Sequence, residues 1–209
     1  MGELTRGDDG GVRCSWGSST EEYRRYHDSE WGRPIGDDDR IYEKLCLEGF
    51  QAGLSWLTIL RKREGFRRAF ASFDPAVVAG YGEGDVERLL ADASIVRNRA
   101  KILATITNAR ATVALRQKGV SLAGLMWQYE RPPTKAAQHL SDLAATTAES
   151  KALSAELRGL GFAFVGPTTV YSAMQSLGVV NDHLRGCDWR KIVEEERAHF
   201  SVPAKGGGS

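Results

Sequence analysis

Three observations predict an all-α fold: helix-capping residues punctuate the whole chain, apolar residues recur at helical spacing between the caps, and no alternating apolar and polar run is bounded by hairpin signals. There is no internal repeat. Residues 1–12 ("MGELTRGDDGGV") are polar and glycine-rich and read as a disordered tail. Residues 201–209 read as a flexible tail ending in "PAKGGGS", which leaves residues 13–200 as a single domain. Asp37 to Asp39 cap the first apolar helix, and Gly53 ends it. Ser55 caps a second helix whose apolar positions Trp56, Ile59, Leu60, Phe66, Phe70 and Phe73 keep a helical period. Further starts fall at Asp74–Pro75, where proline suits the first helical position, and at Asp85 in "GDVERLL". A long segment from Arg99 to Lys118 stops at Gly119. "TTAESKALSAELRGLG" opens with a capping-box spacing from Thr146 to Glu149. Before it, "ERPPTKAAQHLSDLAATT" is a loop, because Pro132 and Pro133 forbid helix continuation.

A chain of 209 residues that is 42% hydrophobic and 26% charged suits one large soluble domain or two intimately joined lobes, with a substantial core. No apolar run approaches a membrane span and no signal-peptide pattern is present, so a cytoplasmic protein without a membrane partner is expected. Twenty-eight basic against 27 acidic residues leave a formal charge of +1, so any polyanion contact must be local. The candidate patches are Arg61, Lys62, Arg63, Arg67 and Arg68, and Arg97, Arg99 and Lys101. A solvated helix face is the alternative for both. Three cysteines, an odd number without close pairing, argue against a disulfide framework.

Four features could carry chemistry. In "CLEGFQAGLSW" Glu48 is the one charge. It shares a helix face with Gln51, which is either a narrow solvated stripe or the wall of a pocket for a cationic or donor-rich ligand. Leu54 lies at the turn between two helices, as an apolar wedge or as a core leucine. Gly161 to Gly166 has the outer spacing of a phosphate loop, but Pro167 and Thr168 follow it and no strand precedes it. Helix, glycine-bearing hairpin, helix fits better, with Gly159, Gly161 and Gly166 relaxing the turn. Such a hairpin is either a plain connection or a seat for a DNA phosphate at a helix N-terminus. Last, Cys14 and His27 near one end and His183 and Cys187 near the other supply the donors of a closed tetrahedral zinc site, or are free thiols and surface histidines. Cys46, inside the apolar helix, reads as packing. Trp16, Tyr23, Tyr26, Trp31 and Trp56 suit a core, but Trp16, Tyr26 and Trp56 neighbour these features and suit stacking around a flat base as well.

The segments "RCSW", "YHDSEWG", "LCLEGFQAGLSW", "ILRKRE", "VRNRAKI", "GFAFVGPTTVYSAMQSLGVVNDH" and a closing "GC" occur in this order from Arg13 to Cys187, and together they resemble the bacterial DNA-3-methyladenine glycosylase I family. The resemblance implies the fold of the helix-hairpin-helix DNA glycosylases, with the hairpin at Leu157 to Thr169. It implies one structural Zn2+ per chain held by Cys14, His27, His183 and Cys187. It implies a pocket where Glu48 hydrogen-bonds a flipped N3-methylated adenine while Tyr26, Trp16 and Trp56 stack around it. Gly53, Leu54, Gly161, Gly166 and Thr168 would then meet damaged double-stranded DNA, and free 3-methyladenine would leave as product from a monomeric, monofunctional enzyme. Asn181 stands where many helix-hairpin-helix glycosylases carry a catalytic aspartate. One departure is Ser94, at a turn where the family pattern calls for glycine. A non-catalytic lesion-sensing DNA-binding protein and a zinc hydrolase with an open coordination position are the competing readings.

Overall fold

The computed structural model describes residues 3–130 and 135–206. Among them the chain is mostly helical, with one short two-stranded antiparallel hairpin of β1 (Leu4–Arg6) and β2 (Val12–Cys14). The helices are α1 (Glu21–Ser29), α2 (Asp38–Gln51), α3 (Trp56–Ala69), α4 (Pro75–Ala79), α5 (Glu83–Ala91), α6 (Arg99–Gln117), α7 (Leu122–Trp127), α8 (Ala148–Gly159), α9 (Pro167–Ser176) and α10 (Asp188–His199). None is long and apolar enough to cross a membrane.

Helix α2 is the centre of the molecule. Every residue from Ile41 to Phe50 is buried, as expected of a helix enclosed on all sides. Helices α3, α6, α7 and α9 pack around it, while α4 and α5 cover the far side of α6. The Asp37 carboxylate caps α2 by accepting from the Arg40 N–H at 2.9 Å. At its other end Lys101 donates to the Phe50 and Ala52 carbonyls at 2.8 and 2.6 Å, satisfying acceptors that the last turn cannot pair internally. Gly53 follows with φ of +80°, a conformation that favours glycine, and Ser55 caps α3.

Several expectations are corrected. Within the expected tail of residues 1–12, Leu4 to Val12 are not disordered: the strands pair from Leu4 with Cys14 to Arg6 with Val12, over three residues each, too short for an alternating pattern to register. Arg13 anchors this hairpin. Its guanidinium is buried, pairs with Asp9 at 2.6 Å and Asp28 at 2.7 Å, and lies 4.3 Å from the centre of the Trp189 ring. Residues 201–206 are also held, since the Ser121 N–H donates to the Lys205 carbonyl at 2.7 Å and Lys205 pairs with Glu156 at 3.0 Å. Asp85 does not start a helix. It is the third residue of α5, and its carboxylate accepts from the Gly82 N–H at 3.1 Å. The cap of α8 is Thr147 with Ser150, one residue later than the expected pair, because Thr147 holds the extended conformation a cap needs. Phe70 and Phe73 lie beyond α3, in a turn where Ala71, Ser72 and Phe73 all have positive φ. The Pro132 and Pro133 expectation falls outside the described residues.

Candidate active site and metal cluster

A cleft of about 350 Å³ opens where α1, α2, α3 and α9 meet, lined by Trp16, Tyr23, Tyr26, Trp31, Glu48, Gln51, Trp56, Leu140, Leu143, Ser172 and Gln175. Its size lies within the range of small-ligand sites. Helix periodicity puts Glu48 and Gln51 on one face of α2, and that face forms the cleft wall. Glu48 is 5% exposed, which removes the solvated-stripe reading. Burial lifts its carboxyl above the usual carboxylate range, opposed by the Lys44 ammonium one turn earlier and by the Ser176 hydroxyl. Opposite, the rings of Tyr26 and Trp56 stand 5.4 Å apart at 48°. Burial, with Glu48 and Glu30 adding to it, holds the Tyr26 phenol neutral. The buried indole N–H of Trp56 has no hydrogen-bond partner among the described residues, so it is a donor available to an occupant.

Beside the cleft, Cys14, His27, His183 and Cys187 are all buried, and their ligand atoms lie within 4.8 Å of one another. The β-hairpin delivers Cys14, α1 delivers His27, and the turn before α10 delivers the other two. The Cys187 sulfur is 3.6 Å from His27 Nε2 and 3.5 Å from His183 Nδ1. The other ring nitrogens are engaged elsewhere. His27 Nδ1 meets the Asp28 carboxylate at 2.9 Å, and His183 Nε2 meets the Trp31 carbonyl at 3.2 Å, contacts that fix which nitrogen faces the cluster. Burial pushes His183 below its usual value, which favours a neutral ligand. These side chains can hold a metal ion. Trp16 joins the two sites, with its ring 5.1 Å from His27 and 6.4 Å from Tyr26.

The remaining candidates divide. Leu54 is 41% exposed at the tip of the α2–α3 turn, so it is not a core leucine. Gly161 has φ of +92°, Gly166 caps α9, and Thr168 is exposed in the first turn of α9. Asn108 fastens the hairpin by bonding both ways to Ala163, at 3.1 and 2.7 Å. Much of the charge of the basic patches is already paired with carboxylates: Arg61 with Glu22 and Arg99 with Glu83 on the surface, Arg63 with Glu30 and Arg67 with Glu43 in partly buried positions. Lys101 is the α2 cap. Asn181 faces away from the cleft, donating to the Arg190 carbonyl at 3.0 Å. Ser94 sits in an Asx turn, its N–H donating to Asp92 at 2.8 Å, with a backbone that serine adopts freely. Sequence reasoning missed Leu140, Leu143, Ser172, Gln175 and Ser176. The last three lie on one side of α9 at spacings of three and four, a readable pattern. Leu140 and Leu143 lie in an irregular segment that carries no periodic signal.

In a mostly helical protein, a buried carboxylate and aromatic walls around a cleft supply an acceptor and ring faces that could hold a flat, donor-bearing ligand. The methyladenine glycosylase family model matches residues 16–191, and the chain belongs to that family. It is 48% identical over 177 residues to DNA-3-methyladenine glycosylase 1 of Escherichia coli K12, covering 84% of this chain and 95% of that one. A crystal structure of 3-methyladenine DNA glycosylase I superposes with a TM-score of 0.82 at 47% identity, covering 84% of this chain and 98% of that one. A variant 3-methyladenine DNA glycosylase I in complex with 3-methyladenine superposes with a TM-score of 0.81 at 34% identity, covering 85% and 97% respectively.

Proposed function

We propose that this methyladenine glycosylase rotates an N3-methylated adenine out of damaged duplex DNA into the aromatic cleft and hydrolyses its glycosidic bond. The observation that carries this reading is Glu48, a buried carboxylate facing a ring-lined cleft in a chain similar along most of its length to enzymes named for 3-methyladenine. Methylation at N3 makes the base a cation and a good leaving group. The C1′–N9 bond breaks with its electron pair passing to the base, which leaves uncharged while positive charge develops on the sugar. Water then forms the new bond to C1′ and loses a proton, leaving an abasic site. No lysine lines the cleft among the described residues, which favours hydrolysis over a covalent amine intermediate.

Each group has a part in this scheme. Glu48 accepts from the exocyclic amine of the base. Tyr26, Trp16 and Trp56 surround the ring, and aromatic faces attract a cation by about 0.5 to 2 kcal/mol. Leu54 fills the space left by the flipped nucleotide, at the exposed turn made by Gly53. The turn from α8 to α9 is the helix-hairpin-helix element. Gly161, Gly166 and Thr168 present backbone N–H groups there to a phosphate. The Cys14, His27, His183 and Cys187 cluster suits a zinc ion, since tetrahedral bonds of about 2.3 Å to sulfur and 2.0 to 2.1 Å to nitrogen place such atoms about 3.5 to 3.6 Å apart. Four protein ligands close the site, so the ion would hold the ends of the chain together and take no part in bond breaking.

The deciding experiment is release of free 3-methyladenine from methylated duplex DNA under single-turnover conditions. Release with wild-type protein and none from a heat-inactivated control is the expected result. Tight binding of the methylated duplex without base release would instead make the protein a lesion sensor.

A further inference from the structure

Lys44 stands one turn before Glu48 on α2 and is 4% exposed. Its ammonium lies 4.7 Å from the centre of the Tyr26 ring, 5.7 Å from the Trp56 ring and 3.4 Å from the Tyr26 hydroxyl. These are two walls of the cleft, yet Lys44 is not itself part of the lining. A site that would receive a cation is therefore backed by another cation, in a place where burying charge is costly. The charged groups facing the ammonium are Glu30, just after α1, with its partner Arg63 of α3, and Glu43 and Glu48 of α2. Glu43 and Glu30 are already committed to arginines, whereas Glu48 faces the cleft.

We propose that Lys44 is a positioning residue of the base site: its buried ammonium, seated behind Tyr26 and Trp56, keeps the Glu48 carboxylate ionised and offsets that carboxylate's hold on a cationic base. The inference rests on the cleft being the base site. An unopposed Glu48 would hold the charged base most tightly before the C1′–N9 bond breaks, and only stabilisation that grows toward the transition state accelerates the step. A neighbouring cation acts in the opposite sense. Its repulsion is relieved as the bonding electron pair passes to the base and the base loses its charge. Glu48 thus remains a strong acceptor in a pocket of nearly neutral net charge. Burial lowers the Lys44 ammonium and raises the Glu48 carboxyl, and each holds the other toward its charged form.

The test compares Lys44→Met and Lys44→Arg with wild type. Because coupling between two groups is mutual, NMR of carboxyl-labelled glutamate should show Glu48 titrating higher in Lys44→Met by about one pH unit, a tenfold change in its ionisation. Lys44→Arg should titrate close to wild type. The acid limb of single-turnover 3-methyladenine release should move with the titration, and at pH values above the limb the Lys44→Met rate should stay several-fold below wild type. If Lys44→Met does not fold, the converse is read in Glu48→Gln, where Lys44 should titrate lower by a similar amount. An unmoved titration in either variant, or a Lys44→Met pH profile that overlays wild type, overturns the proposal and makes Lys44 a packing residue. Failure of wild-type protein to release base would overturn the glycosylase reading, while the titrations would still report on Lys44.

Discussion

A carboxylate walled in by rings responds to substitution differently from one on a solvated helix face. Surface substitutions usually change energies by within about 0.5 kcal/mol, and a charge-assisted hydrogen bond contributes about 1.5 to 3 kcal/mol. Glu48→Gln should therefore slow single-turnover release of 3-methyladenine by roughly 10- to 150-fold, with folding and affinity for undamaged DNA retained. A variant within about twofold of wild type would show that another group anchors the base. The pH dependence follows from burial. The carboxyl is held above the ordinary range, and the acceptor is the ionised form, so kcat/KM should fall as pH drops through that raised value. The limb should lie above where an exposed glutamate titrates and be missing from Glu48→Gln, since kcat/KM reports ionisation of the free enzyme. A limb that persists in Glu48→Gln would assign it to another residue.

Helix starts were legible at Asp37, Ser55 and Asp74, whose side chains make the caps their residue types predict, but not at Thr20 and Ser121, which cap α1 and α7 in the same way. Three helices carried no expectation. In α1 the apolar positions reduce to Tyr23 and Tyr26 amid charges, α7 is six residues long, and α10 buries only Val193, so none presents a periodic apolar face. The helical hairpin was legible from Gly161, Gly166 and Pro167, and Ser154 of α8 fastens it locally, but Asn108, which also fastens it, comes from α6, whose proximity no local pattern encodes. Gly166 is the informative glycine. Its φ is −63° and nothing lies within 4 Å of where a Cβ would stand, so the fold does not require glycine there. A phosphate approaching the α9 N-terminus would require it. Gly166→Leu should fold normally, bind duplex DNA more weakly, and show a slope of affinity against salt shallower by about one, the contribution of one phosphate contact. Unchanged binding would remove the hairpin from the interface. Leu54→Ala should likewise leave stability nearly unchanged because the side chain is half exposed, while slowing base release from paired duplex more than from a site opposite a mismatch. Equal slowing on both would mean Leu54 is not a wedge.

At the scale of the whole molecule the least legible fact is that the chain's ends meet. Cys14 and Cys187 are separated by nearly the entire domain, so their residue types offered a shared zinc site and free thiols alike, and the resemblance to a known family was what favoured the first. In the fold they lie in a small apolar cluster with Leu184, apart from the main core, flanked by Leu4, Trp16, Leu140, Leu143 and Trp189. The same cluster abuts the cleft through Trp16, and Trp31 both lines the cleft and accepts from His183. A metal bound there would set the position of two aromatic walls without touching the reacting atoms. Replacing one ligand then has two consequences of different size. Cys187→Ser should lower Tm by roughly 10 °C, corresponding to a few kcal/mol at about 2 to 4 °C per kcal/mol for a domain of this length. Hydrogen exchange should accelerate first at residues 4–16 and 184–190, while α4 and α6, on the far side of α2, stay protected. Well below the new Tm the variant should still release 3-methyladenine, more slowly because Trp16 and Trp31 are less firmly held. If a folded Cys187→Ser protein instead loses base release completely and keeps its affinity for methylated duplex, the metal belongs to the chemistry and the closed structural site is refuted.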